Sequence, residues 1–272
     1  MSLPSELVCP QCLGALTPVG GRHPLPAARC ERCDRDYAAD LGFLDFIGAP
    51  ESGLDAGNAS IGARLMHSRL LAAVYERLWR PTFIAFASGG LPDYAEELAL
   101  VEAALRPAAG APVVDLSCGP GFTGRRLAAG GSFARVYGVD WSVAMLQRAV
   151  AAQHRPDVPA ALALVRADVV RLPFAGASIA GVHAGAALHL WPDPPAAIAE
   201  AARVLRPGGA FVASTFAHPR GAPRLFGGAV HFASGARVFE ADELAGHCQA
   251  HGLEQFTAHR RGALILFSAL RA

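Results

Sequence analysis

The segment Val113-Val114-Asp115-Leu116-Ser117-Cys118-Gly119-Pro120-Gly121-Phe122 limits the possible folds more than any other. It reads as a buried strand, an acidic turn, and a glycine-rich loop that opens a helix. Gly119 and Gly121 have no Cβ, so the backbone can turn sharply and let a ligand come close, while Asp115 sets an acceptor at the strand's carboxyl end. These are the parts of a nucleotide-cofactor pocket in an α/β protein. Gly119-Pro120-Gly121-Phe122-Thr123-Gly124 also fits the dinucleotide pattern GxGxxG, and Asp140 lies nineteen residues beyond Gly121, near the place of a ribose-binding carboxylate. Taken alone, the segment leaves the choice of cofactor open.

The order of the surrounding segments narrows it. Arg135-Val136-Tyr137-Gly138-Val139 reads as a strand ending in Asp140, a further strand ends at Arg166-Ala167-Asp168, and Arg203-Val204-Leu205-Arg206-Pro207-Gly208-Gly209 precedes another. This order resembles the class I S-adenosylmethionine-dependent methyltransferases. The resemblance implies an α/β, Rossmann-like fold with a mostly parallel sheet of seven strands, the last antiparallel. It further implies that Asp115 and the glycine loop with Gly119 and Gly121 sit by the methionine half of the cofactor, that Asp140 holds the ribose hydroxyls, that Asp168 faces the adenine amino group, and that Ser117, Cys118, Phe122, Trp141, Met145, Ala167 and Val169 also line the cofactor site, with His183 a cofactor-pocket or core residue. The chemistry suits those places, since a carboxylate accepts from vicinal hydroxyls and from an amino edge.

A chain of 272 residues, 52% hydrophobic and 17% charged, can bury a substantial core and is long enough for one α/β domain with a small appendage. Its net charge of +1 offers no global field for nucleic acid or an anionic membrane. Met1-Ser2-Leu3-Pro4-Ser5-Glu6 has neither a basic nor an apolar leader region, so a cytoplasmic location is expected. The uncharged run Leu172 to Pro192 has the length of a membrane helix, but Pro173, three glycines, His183 and His189 favour a buried strand and a loop. No membrane span is expected.

Cys9-Pro10-Gln11-Cys12 and Cys30-Glu31-Arg32-Cys33 are separated by seventeen residues, within the spacing of a tetrahedral zinc ribbon. Two redox pairs or two disulfides are the alternative, disfavoured by a reducing compartment and the lack of strand–helix context. With four thiolates there is no open position for catalysis, so the expected Zn²⁺ is structural. The expected boundary follows Phe46: residues 1–49 form the ribbon and 50–272 the larger domain, with N-terminal helices at about 61–105. The ribbon carries four arginines against six carboxylates, a net −2, where a phosphate-gripping module would be basic.

Tyr75-Glu76-Arg77-Leu78-Trp79-Arg80, the stretch Val165 to Phe174 and the stretch Val182 to Pro192 look like a group of plant plastid and bacterial methyltransferases that also begin with a four-cysteine ribbon and have no assigned substrate. That resemblance covers nearly the whole chain. A looser one is to bacterial rRNA guanine-N1 methyltransferases, whose second ligand pair usually includes a histidine where this chain has Cys30 and Cys33.

Methyl transfer asks a protein to position a nucleophile, exclude water and, for some acceptors, remove a proton. No Asn/Asp-Pro-Pro-aromatic motif follows the fourth strand and no Pro-Cys nucleophile is present, which disfavours exocyclic-amine and cytosine-C5 methylation. His189 is the candidate base, against a role in holding its loop; Trp191 and Tyr75 are candidate substrate contacts, against simple packing. Between the fifth strand and the last helix, Arg220, Arg224 and Arg237 stand with no acid among them, either as a lid over an anionic substrate or as a solvated loop. The sequence therefore favours O- or C-methylation of a small organic molecule without a catalytic metal, ahead of an rRNA or tRNA base methyltransferase and a non-catalytic cofactor-binding partner protein.

Overall fold

A computed structural model describes residues 2–20, 25–48, 94–153, 162–218, 221 and 237–272. Elements are numbered over these residues. The N-terminal part holds β1 (Leu16–Gly20), β2 (Ala27–Cys30) and β3 (Asp36–Tyr37), an antiparallel three-stranded sheet, followed by β4 (Leu44–Asp45). Next come α1 (Tyr94–Ala104), β5 (Pro112–Leu116), α2 (Phe122–Ala129), β6 (Arg135–Asp140), α3 (Val143–Gln153), β7 (Ala163–Arg166) and β8 (Ile179–Ala184). The chain ends with α4 (Pro194–Val204), β9 (Leu205–Phe216), α5 (Ala241–Ala250), β10 (Leu253–Arg261) and β11 (Leu264–Arg271).

Eight strands form the large sheet, in the order β10-β11-β9-β8-β5-β6-β7-β4. All neighbours from β9 to β4 pair parallel, and β11 pairs antiparallel with both β9 and β10. The antiparallel final strand agrees with the sequence reading; the count of seven does not, because β4 adds an eighth strand from the cysteine-bearing region. Two residues carry no period-2 signal, so this pairing had no signature to read.

Inner strands buried on both faces explain the near-continuous apolar runs of β5 and β8. Val113 and Ala180 enter a core beneath α1, α2 and α3, through Val101, Leu127 and Leu146. On the opposite face Val114, Val182 and Phe211 join Ile198 of α4, Leu244 of α5, and Leu7, Tyr37 and Phe46 of the N-terminal part in one continuous core. The connection from β7 to β8, residues 167–178, contains no helix. In its place the N-terminal segment lies against that connection: Val8 N–H donates to the Pro173 carbonyl at 3.0 Å and Ala175 N–H to that of Glu6 at 2.9 Å.

Local chemistry sets the helix starts. The Asp193 carboxylate accepts from Ala196 N–H at 3.0 Å and Pro194 opens α4, while the Ser142 hydroxyl accepts from Met145 N–H at 3.4 Å ahead of α3. The strand expected after Gly209 starts earlier, at Leu205, and a register shift between Ile179 and Gly181 of β8 absorbs the Pro207-Gly208-Gly209 turn. The edge strand β10 had no clear sequence signal, since its residues are largely exposed and polar. Of the helices expected at about 61–105, residues 61–93 lie outside the described residues, as does the expected boundary at 49/50.

Candidate functional site

The chain runs from β5 outward to β6 and β7, then returns to β8 on the other side of β5. In open α/β sheets such a reversal leaves a crevice beyond the carboxyl ends of the two strands, where ligands bind. Asp115 and His183 are register partners across it. Asp115 Oδ2 accepts from Gly124 N–H at 2.9 Å, and Asp115 Oδ1 lies 2.7 Å from His183 Nδ1, with both side chains buried.

Two non-glycine residues with left-handed backbone flank the crevice: Ser117 after β5 (φ 53) and Ala186 after β8 (φ 49). Such conformations cost of order 1–3 kcal/mol and persist where surrounding contacts hold them. Trp191 Nε1 donates to the Ser117 hydroxyl at 2.9 Å, and Ala186 N–H donates to the Ser214 hydroxyl at 2.8 Å. Trp191 is buried, so its observed contact is with the loop. Gly119, at φ 55, has open space where a Cβ would stand, whereas a Cβ on Gly121 would press on Leu162 at 3.1 Å. One glycine leaves room above the loop and the other lets α2 settle against the core.

Asp140 ends β6 and uses both oxygens on backbone donors: Oδ2 accepts from Gly119 N–H and Oδ1 from Ser142 N–H, each at 2.8 Å. Burial, aided by the Asp115 charge, pushes its carboxyl up to about 6, outweighing the lowering effect of those two N–H groups. Cys118 is pushed well above the usual thiol range by burial and by the charges of Asp140 and Asp115, which makes it a poor nucleophile. Phe122, Trp141, Asp168 and Val169 are partly exposed around the same end of the sheet, with Met145 and Ala167 buried behind them. Asp168 shapes its turn by accepting from Val170 N–H at 3.1 Å.

His189 lies in a short 3-10 turn, 4% exposed, with its ring edge-on to Phe216 at 4.5 Å between centroids. Among the described residues Nδ1 has no hydrogen-bond partner, and burial pulls the imidazole down to about 3, so it is neutral at physiological pH. Tyr75, Arg220 and Arg224 lie outside the described residues. Arg237 donates to the Pro192 carbonyl at 3.2 Å.

The four sequence-paired cysteines converge: all four Sγ atoms lie within 4.8 Å of one another, with Cys9–Cys33 at 3.7 Å and Cys12–Cys30 at 3.5 Å. A tetrahedron with Zn–S bonds of about 2.3 Å has edges near ~3.8 Å. Both knuckles have the same form. Leu13 N–H donates to the Cys9 carbonyl and Asp34 N–H to that of Cys30, and both residues have positive φ. Tyr37 OH lies 3.0 Å from Cys9 Sγ; despite burial, this contact and nearby backbone N–H groups pull the Cys9 thiol down to about 7. Cys12 is lowered by the Gly14 N–H but driven up to about 12 by burial and its sulfur neighbours. These four sulfurs could hold a metal ion, and the donor set suits zinc.

Sequence reading did not single out Arg166. Its buried guanidinium donates to Asp45 at 3.0 Å, to the Gly48 carbonyl at 2.7 Å and to the Trp141 carbonyl at 3.0 Å, joining β4 to the loop after Asp140. The only available sign was a charged residue in an otherwise apolar strand.

Residues 114–213 match the family described as "Methyltransferase domain". An uncharacterized chloroplastic methyltransferase of Arabidopsis thaliana is 34% identical over 97% of this chain and 78% of its own length. The 2-phytyl-1,4-naphthoquinone methyltransferase of Thermosynechococcus vestitus is 36% identical over 41% of this chain and 48% of its own. Among solved structures, the phosphoethanolamine N-methyltransferase 2 of Haemonchus contortus, bound to phosphomonomethylethanolamine and S-adenosylhomocysteine, superposes with a TM-score of 0.57 over 65% of this chain and 53% of that one, at 14% identity, a likeness of fold. Among the described residues no helix is long and apolar enough to cross a membrane. With a relative this similar along nearly its full length, the chain belongs to the class I S-adenosylmethionine-dependent methyltransferases.

Proposed function

We infer that this methyltransferase acts on oxygen or an acidic carbon of a small organic molecule, and that Cys9, Cys12, Cys30 and Cys33 hold one structural Zn²⁺. When bound, S-adenosylmethionine supplies an electrophilic methyl group on a sulfonium. Asp140 would take the ribose hydroxyls, and Asp168, with Trp141, Met145, Ala167 and Val169, would border the adenine. Ser117, Cys118, Gly119, Gly121 and Phe122 would surround the methionine half, above Asp115 and His183. Ser117, Cys118, Gly119, Phe122, Asp140, Trp141, Asp168 and Val169 are partly exposed beyond the carboxyl ends of β5, β6 and β7, which supports this placement.

The observation that carries the small-molecule reading is the construction of the cysteine module. It bears a net charge of −2 and shares its core with the sheet, so it serves as part of the scaffold and lacks the basic surface expected of an RNA-reading arm. The naphthoquinone acceptor named for the Thermosynechococcus relative is of the same chemical kind.

The test is transfer of labelled methyl from S-adenosylmethionine to fractionated cell metabolites and, separately, to total RNA. Label in a low-molecular-weight fraction is the expected result. Label confined to RNA would replace this reading with base methylation.

A further inference from the structure

His183 and Asp115 form a pair whose chemistry packing alone does not require. They meet side by side across the reversal point of the sheet, each on the next-to-last residue of its strand. Asp115 is held from two directions, by Gly124 N–H on Oδ2 and by the imidazole on Oδ1. A carboxylate only accepts, so the shared proton sits on His183 Nδ1 and the basic lone pair is left on Nε2. No hydrogen bond reaches Nε2 among the described residues.

The residue after β8 avoids crowding that nitrogen, on a side chain that is itself 4% exposed. A Cβ on Gly185 would stand 2.9 Å from His183 Cε1 and 3.2 Å from Nε2, so glycine leaves the basic edge of the ring clear on the side where the strand ends. Asp115 faces the ring from β5, and the register partner of His183 on β9 is the apolar Val212. His189, by contrast, is sealed against Phe216 and is too weak a base to collect a proton near neutrality.

We propose that His183 Nε2 is the proton acceptor for the methyl-accepting group, with Asp115 as the positioning residue that fixes its tautomer. The inference rests on the reading of an oxygen or acidic-carbon acceptor given above. The acceptor's O–H or C–H proton passes to Nε2 as its electron pair bonds to the methyl carbon, and the electrons of the broken C–S bond stay on the sulfur of the departing thioether. The Asp115 carboxylate balances the imidazolium, which then releases its proton to water. The same site would select acceptors that carry an ionisable hydroxyl or an activated C–H over amines that arrive already nucleophilic.

Two measurements test this, the first without turnover. In ¹⁵N-histidine-labelled protein saturated with S-adenosylhomocysteine, the His183 signal, assigned by its loss in His183→Gln, should show a protonated Nδ1 and a basic Nε2. Asp115→Asn should abolish that preference. A proton on Nε2 with Nδ1 as acceptor would overturn the proposal. In the second, the metabolite fraction that accepts label is used as substrate. At saturating S-adenosylmethionine, His183→Gln should transfer methyl ~10²–10⁴-fold more slowly and lose the wild type's decline in turnover at acid pH, whatever its change in cofactor affinity. A variant that keeps both the rate and that decline would also overturn it. If the wild type labels no metabolite, the substrate reading fails, while the imidazole spectrum still decides the tautomer.

Discussion

Asp140 is satisfied by two backbone N–H groups while its surroundings still resist its negative charge. Its carboxyl is raised to about 6, so the contribution it makes to the stability of the ligand-free fold is full below about pH 4 and lost as pH rises through about 6. A ligand that donates hydroxyls to the carboxylate reverses the preference, because it binds the ionised form. Affinity for S-adenosylhomocysteine should therefore rise about tenfold between about pH 5 and about pH 7.5, and the rise should vanish in Asp140→Asn. Calorimetric titrations at the two pH values decide it; equal affinities in the wild type would remove Asp140 from the ribose position. The residues of this site were unevenly legible. Asp115, Asp140 and the glycine loop lie in short local patterns that announce themselves. The union of Asp115 with His183 spans 68 positions and depends on which strands become neighbours, information that no local window contains. Likewise, the surroundings that distinguish the two histidines, Asp115 beside His183 and Phe216 against His189, come from distant parts of the chain.

Among the elements, β4 shows how little chain can matter. Leu44 and Asp45 extend the sheet beyond β7, and Asp45 is held there by Arg166, both side chains being largely shielded from water. The same carboxylate accepts from Ile47 and Gly48 N–H. Asp45→Ala leaves a buried guanidinium without its counter-charge, a change that typically costs about 3–5 kcal/mol. Urea denaturation should show a loss of that order, whereas an unchanged midpoint would mean that water takes over the pairing. The sequence revealed β5 to β9 well, because inner strands read as apolar runs between turn signals. It missed β4, too short for any period, and β10, which lies at the outer edge and presents mostly polar residues to water.

At the scale of the whole molecule, the cysteine module and the sheet share a single core, so the thiols at one end answer for order at the other. The connection runs from the cysteines through Phe46 and Asp45 to Arg166, and from Arg166 to the carbonyl of Trp141 beside Asp140. Elemental analysis should find one zinc per chain. Its removal by a chelator, or by Cys30→Ser, should weaken S-adenosylhomocysteine binding and promote association of the protein through the uncovered edge of β7, visible as light scattering. A zinc-free chain that stays monodisperse with unaltered affinity would make the module a passenger. The helix-free connection from β7 to β8 also bears on engineering. Where a layer of helix would ordinarily cover the sheet, this chain lays its own N-terminal segment. A designer wishing to graft this catalytic scaffold without its thiols would first have to build a replacement helix between Arg166 and Ile179, because cutting the chain after the module would strip a wall from the house.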